Sequence, residues 1–172
     1  GGRVTLADGS IDFYRTNLRL REVAARVSIS ANALDIDARA RTGKGQAAVT
    51  GRLAWTAGAL GGSVHLTGDS LPIVDLPEAR IFASPDLRLA IDGQRIDVDG
   101  SVLVPFARIE PVEIKGAVLA SSDERLVGGQ ADAAATPHEL YANVRFTLGD
   151  DVKLAAFGLS GKLTGSVAAH LD

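Results

Sequence analysis

The chain of 172 residues contains no cysteine and no methionine. Without thiols it has no disulfide framework, no thiolate metal centre and no cysteine nucleophile, and it is compatible with an oxidising compartment such as the periplasm. A chain without even an initiator methionine is expected to be a piece of a longer protein. Aromatics make up only 5% of residues although 46% are hydrophobic, so the apolar side chains are mostly Val, Leu, Ile and Ala. Neither sign of charge dominates. The net charge is −3, and Arg and Asp alternate along the same stretches instead of gathering into a basic patch, which argues against a nucleic-acid partner. Long apolar runs are also missing. The longest stretch free of Asp, Glu, Lys and Arg, Leu53 to Gly68, is broken by glycines and falls short of the roughly 20 apolar residues that span a bilayer. Gly1 to Ser10 has no apolar core of a signal peptide. Any leader or membrane anchor is therefore expected outside this chain.

What the chain does have is alternation. Leu87, Leu89 and Ile91, then Ile96, Val98, Val102 and Val104, are interleaved with Arg88, Arg95, Asp97, Asp99 and Ser101. The same code recurs at Leu34, Ile36, Ala38 and Ala40, and at Leu140, Ala142, Val144, Phe146 and Leu148. A period of two places successive side chains on opposite faces of a strand, so these stretches read as strands with one apolar and one polar face. Nearly the whole chain is then one two-faced antiparallel sheet. Leu20, Val23, Ala24 and Val27 also fit helical spacing, but Val27 and Ile29 continue the alternation and favour a strand. With no convincing amphipathic helix to cover the apolar face, the question of function becomes what lies against it.

Turns are signalled at Ser30-Ala31-Asn32, Thr42 to Gly45, Asp92-Gly93 and Gly149-Asp150-Asp151. Ser70 to Pro77, with two prolines, reads as a crossing loop, 121–137 as a flexible surface loop, and Leu159 to Leu171 as a single strand. Gly51, Gly62, Gly100, Gly116 and Gly165 each stand two residues before an aliphatic and so on the apolar face, where they remove bulk and let a sheet bend.

Sharper chemistry finds little support. Gly68-Asp69-Ser70-Leu71 spells the nucleophile block of one hydrolase class, but none of His65, His138 or His170 has the Asp three residues before it that the class requires. Gly149-Asp150-Asp151 lacks a second acidic motif and reads as a polar hairpin turn. The histidines have no ligand-type neighbour at metal spacing, and Gly43-Lys44-Gly45 completes no nucleotide fingerprint. No catalytic residue, metal site or cofactor is expected. Trp55, the lone indole, is assigned to the core in preference to a rim.

Several blocks in order carry a resemblance: Ser84-Pro85-Asp86-Leu87, Val104-Pro105-Phe106-Ala107-Arg108-Ile109, Ala120-Ser121-Ser122-Asp123-Glu124, and Leu148-Gly149-Asp150-Asp151-Val152 running into Ala156-Phe157-Gly158-Leu159 and Leu163-Thr164-Gly165. Together they resemble the C-terminal conserved domain of the TamB family, the inner-membrane-anchored subunit of the translocation and assembly module of Gram-negative bacteria, similar to the AsmA-like bridge proteins. The resemblance implies an all-β fold, a long curved antiparallel sheet folded into an open, taco-like trough with a hydrophobic interior. It implies a single segment over 1–172, internal to the conserved domain of a periplasmic protein that reaches toward an outer-membrane barrel partner, TamA. It also implies a non-enzymatic role in moving phospholipid between membranes and supporting outer-membrane protein assembly.

On this reading the trough is lined by Leu34, Ile36, Leu87, Leu89, Ile91, Ile96, Val98, Val102, Val104, Leu140, Val144, Phe146, Leu148, Leu154, Leu163 and Val167. Acyl chains are held there at about 0.8 kcal/mol per buried methylene with no fixed register. Two alternatives stay open: a scaffold that pairs strands of outer-membrane protein clients at its edges, and a closed β-sandwich whose faces pack on each other.

Overall fold

In the computed structural model the described residues are 1–56, 58–110, 139–156 and 159–171. They form eleven strands and no helix: β1 (Gly2–Phe13), β2 (Leu18–Ile29), β3 (Ala33–Thr42), β4 (Gly45–Thr56), β5 (Ala59–Asp69), β6 (Leu71–Asp75), β7 (Ala79–Asp92), β8 (Arg95–Ile109), β9 (Glu139–Ala156), β10 (Leu159–Lys162) and β11 (Gly165–Leu171). All join one open, uncurled sheet in the order β1-β2-β3-β4-β5-β7-β8-β9-β10, with β6 also on β7 and β11 also on β9. A single sheet overturns the closed sandwich, which needs two. The all-β open sheet is the class expected, and its apolar side chains gather on one face.

The tight connections fall where small and polar residues relax the backbone. Gly43 and Gly93 take positive φ in the β3–β4 and β7–β8 hairpins. In β1 and β2 the alternation slips by one residue. Asp8 and Glu22 adopt positive φ at register shifts, absorbing the extra residue as bulges. Beyond the slip, Gly9 faces Val23 and Leu6, so the apolar side chains stay on one face.

Four expectations need correction. Ser70 to Pro77 is not a crossing loop: β6 continues the chain along β7 after a corner at Ser70, whose φ is 47°. The prolines are tolerated because β6 is short and bulged between Pro72 and Val74. Its Asp75 meets the β1–β2 hairpin, the N–H donating to Thr16 O at 3.0 Å and Asn17 Nδ2 donating to Asp75 O at 3.2 Å. Gly149-Asp150-Asp151 is not a turn either. It lies inside β9, where a side chain at 149 would come within 2.9 Å of the Pro105 Cα, so the glycine serves close approach to the bulge in β8.

The single strand expected from Leu159 to Leu171 is two, β10 and β11, laid end to end against β9. Finally, β8 and β9 pair in parallel, the exception in an otherwise antiparallel ladder. Residues 110–138 separate them, ample for the dozen or more residues that a parallel return requires. The surface loop assigned to 121–137, together with Gly116, His138, Phe157 and Gly158, lies outside the described residues.

Candidate functional site: the apolar face

Cross-strand register converts the alternation into rows. One row runs Val4, Val27, Ile36, Gly51, Val64, Leu89, Val98, Ala142 and Leu171 across nine strands. At about 4.8 Å between strands this is a band about 38 Å wide, aliphatic but for Gly51 and without a polar residue. The next row on that face is Leu6, Ala25, Ala38, Val49, Leu66, Leu87, Gly100, Val144 and Ala169. Between these two rows, on the other face, stand Thr5, Arg26, Asp37, Thr50, His65, Arg88, Asp99, Asn143 and His170, every one polar. The sheet is thus sorted by chemistry along its whole width.

Of the residues expected to line the face, register brings together Leu34, Ile36, Leu87, Leu89, Ile91, Ile96, Val98, Val102, Val104, Leu140, Val144, Phe146, Leu148 and Val167. Leu154 is farther along β9, opposite Ile109 and Gly161. Leu163 stands between β10 and β11, 43% exposed, tied to the sheet by its N–H donating to Val152 O at 2.8 Å. The face also includes Val4, Leu6, Val27, Ile29, Val49, Leu53, Val64 and Leu66. The signal for β4 and β5 was the same alternation, weakened by Gly51 and Gly62; for β1 and β2 it was hidden by the bulges.

No second layer packs on this face among the described residues. No large side chain is fully buried, and Val4 (59%), Leu6 (46%), Phe146 (38%) and Val167 (63%) remain open. A part-exposed aliphatic area of this extent is unusual on a soluble surface, which makes this face the candidate site. Trp55 is 47% exposed opposite Leu60 at the β4–β5 hairpin, so the expected core position is replaced by a rim position at the hairpin end.

Glycines tighten the face. An added Cβ would sit 2.1 Å from Arg52 O at Gly62 and 2.1 Å from Asp86 O at Gly100, both at φ near +140°. Only glycine lets neighbouring backbones approach this closely.

The polar face is laced by exposed ion pairs, Arg52 to Asp35 at 3.3 Å and Arg95 to Asp97 at 2.6 Å, and by a hydrogen bond between His65 Nε2 and Asp86 at 2.6 Å. Hydrogen bonds from Arg95 hold the Asp97 carboxyl below the usual carboxylate range and raise the Arg95 guanidinium in turn, while Arg21 lowers Asp12 in the same way. Arg95 also lies 4.0 Å over the Tyr141 ring. These pairs are screened by water, and they orient the face more than they stabilise it.

Ser70, the candidate nucleophile of the sequence, donates its Oγ to Asp69 at 3.1 Å while its N–H donates to Ser84 Oγ at 2.9 Å, so its contacts hold the β5–β6 corner. Among the described residues no group of three His, Cys, Asp or Glu is arranged to hold a metal, and no helix is long and apolar enough to cross a membrane.

Compared with known proteins, the family profile described as the TamB C-terminal domain matches residues 35–168. No solved structure matches the chain.

Proposed function

The chain belongs to the TamB C-terminal domain family, and from that premise we propose that its apolar face carries phospholipid acyl chains. Membership places it in the envelope of Gram-negative bacteria, in a family that serves outer-membrane protein assembly and lipid transport as a structural and transport module. The observation that supports the finer reading is the row from Val4 to Leu171, aliphatic but for Gly51 and free of any polar residue.

A face of this kind holds hydrocarbon by summed contacts of about 0.8 kcal/mol per buried methylene. Once the face curls around it, hydrocarbon leaving a bilayer exchanges one apolar surrounding for another, so the transfer is nearly balanced. No polar group on the two rows above fixes one register, and a chain on them is free to slide. Glycines at 51 and 100 keep the relief of the rows low. A site for one small molecule would instead place a few convergent polar groups among the apolar ones.

In this account the sheet curls in the assembled protein into a periplasmic trough that encloses the acyl chains and leads toward the outer-membrane partner TamA, with outer-membrane protein clients as a second cargo. The strand-pairing alternative draws on the two edges that are open among the described residues, β1 on one side and β10 with β11 on the other. Mass spectrometry of lipids extracted from the purified protein, wild type beside Val98→Arg, separates the two. Phospholipid in the wild type and its loss in a folded Val98→Arg variant supports acyl carriage; absence of phospholipid from the wild type in detergent-free preparations overturns it.

A further inference from the structure

We propose that a phospholipid on the apolar face lies along the strands, with its glycerol at the Trp55 rim and its acyl tails ending against Leu71. This rests on the acyl-carriage reading above and adds a direction to it. Over β3, β4, β5 and β7 the two ends of the face differ. At one end Ile29, Leu34, Leu53, Gly62, Ile91 and Ile96 form the last row that crosses these strands before the hairpins. Trp55 extends the face by one more position on β4 and is 47% exposed, and the hairpins there carry exposed Asn32, Thr56, Asp92 and Gln94. A wet rim with an indole on its apolar side matches a headgroup level, where an amphipathic ring meets hydrocarbon on one flank and water on the other.

At the other end the chain fills the face itself. After the Ser70 corner the Leu71 side chain folds back over Gly68, where an added Cβ would stand 2.5 Å from Leu71 Cδ1 and 2.9 Å from Pro85 Cδ. Val23, Thr42, Leu71 and Ala83 are buried at this end, each at most 8% exposed. Beyond them Asp75 ties β6 to the β1–β2 hairpin. A headgroup placed here would lose its water against aliphatic side chains, a cost that a terminal methyl does not have. Length agrees with this direction. From Trp55 to Val49, the last face residue of β4 before the Ala47 and Gly68 pair that Leu71 covers, is about 20 Å at about 3.3 Å per residue. One leaflet of a bilayer, headgroup layer included, is about 20–22 Å thick. Tails laid this way cross the rows, so a lipid moves sideways from strand to strand while its headgroup stays in water at the rim.

The test uses the lone indole and phosphatidylcholine brominated on its acyl chains either next to the glycerol or near the methyl end, bromine being a contact quencher of indole emission. The protein is loaded from vesicles without detergent, freed of them by flotation and read by fluorescence. Trp55 should be quenched several times more strongly by the bromine next to the glycerol than by the bromine near the methyl end. In Trp55→Phe with Val49→Trp, which moves the indole toward Leu71, the order should reverse. Should that variant fail to fold, Trp55→Phe with Leu66→Trp, opposite Val49 on β5, gives the same reading. Equal quenching by both lipids at both positions, or the opposite order, overturns the direction and leaves acyl carriage standing, because the bromines are then on the face. Absence of quenching by either lipid at either position overturns acyl carriage itself, and this inference with it.

Discussion

Replacing Gly100 with alanine should be among the most destabilising single-methyl changes available to this sheet. The added Cβ would sit 2.1 Å from Asp86 O and 3.0 Å from the Leu87 Cα, both backbone atoms of the neighbouring strand, at a φ of +143° that L side chains rarely adopt. The strained backbone alone costs about 1–3 kcal/mol, and β7 must also move away from β8, for a total of about 2–4 kcal/mol. In a chain of this size that lowers the melting temperature by about 5 to 15 °C. Gly161→Ala is the internal control: nothing stands within 4 Å of its added Cβ, so its cost should stay within about 0.5 kcal/mol. Urea titrations followed by far-ultraviolet circular dichroism read both. A Gly100→Ala variant no less stable than Gly161→Ala would refute the claim that glycine is there for close backbone approach.

Val152→Ala, which truncates one of the few buried aliphatics, should cost about 1–2 kcal/mol in the same titrations, whereas Leu163→Ser, between strands and 43% exposed, should cost less than about 0.5 kcal/mol. Asp12 and Asp97 have folded-state carboxyls held below their ordinary values by Arg21 and Arg95, so the stability they contribute is complete above about pH 4 and falls as pH drops through the lowered folded values. Urea midpoints should therefore be unaffected by these two groups from neutral pH down to about pH 5 and decline below about pH 4, with a smaller acid-side decline in Asp12→Asn with Asp97→Asn. Trp55 gives an optical handle, being the lone indole and 47% exposed on the apolar side: its emission should shift to the blue when phospholipid is added, and Val98→Arg should abolish the shift.

Much of this face was legible because the period of two is a direct consequence of strand geometry. Leu87 to Ile91 and Ile96 to Val104 alternate cleanly, and their register across β7 and β8 follows from the short Asp92-Gly93 turn. Alternation names a face but not a direction, which is why the parallel pairing of β8 with β9 was invisible until register was known. It also fails wherever a bulge inserts one residue. At Asp8 and Glu22 the apolar positions change parity, so neither β1 nor β2 carries one alternation from end to end. Pro72 and the Gly149-Asp150-Asp151 triplet misled for another reason. Proline and glycine punctuate turns in most settings, but here one sits on a short bulged strand and the other where two backbones nearly touch.

The most direct measurement of acyl carriage is photo-crosslinking in cells, with a photoreactive side chain placed at position 98 in one variant and at position 99 in another. The two positions are neighbours in β8 on opposite faces, opposed by Leu89 and Arg88 respectively. The account predicts phospholipid adducts at 98 and none at 99; equal labelling at the two positions, or adducts at 98 to protein alone, would contradict it.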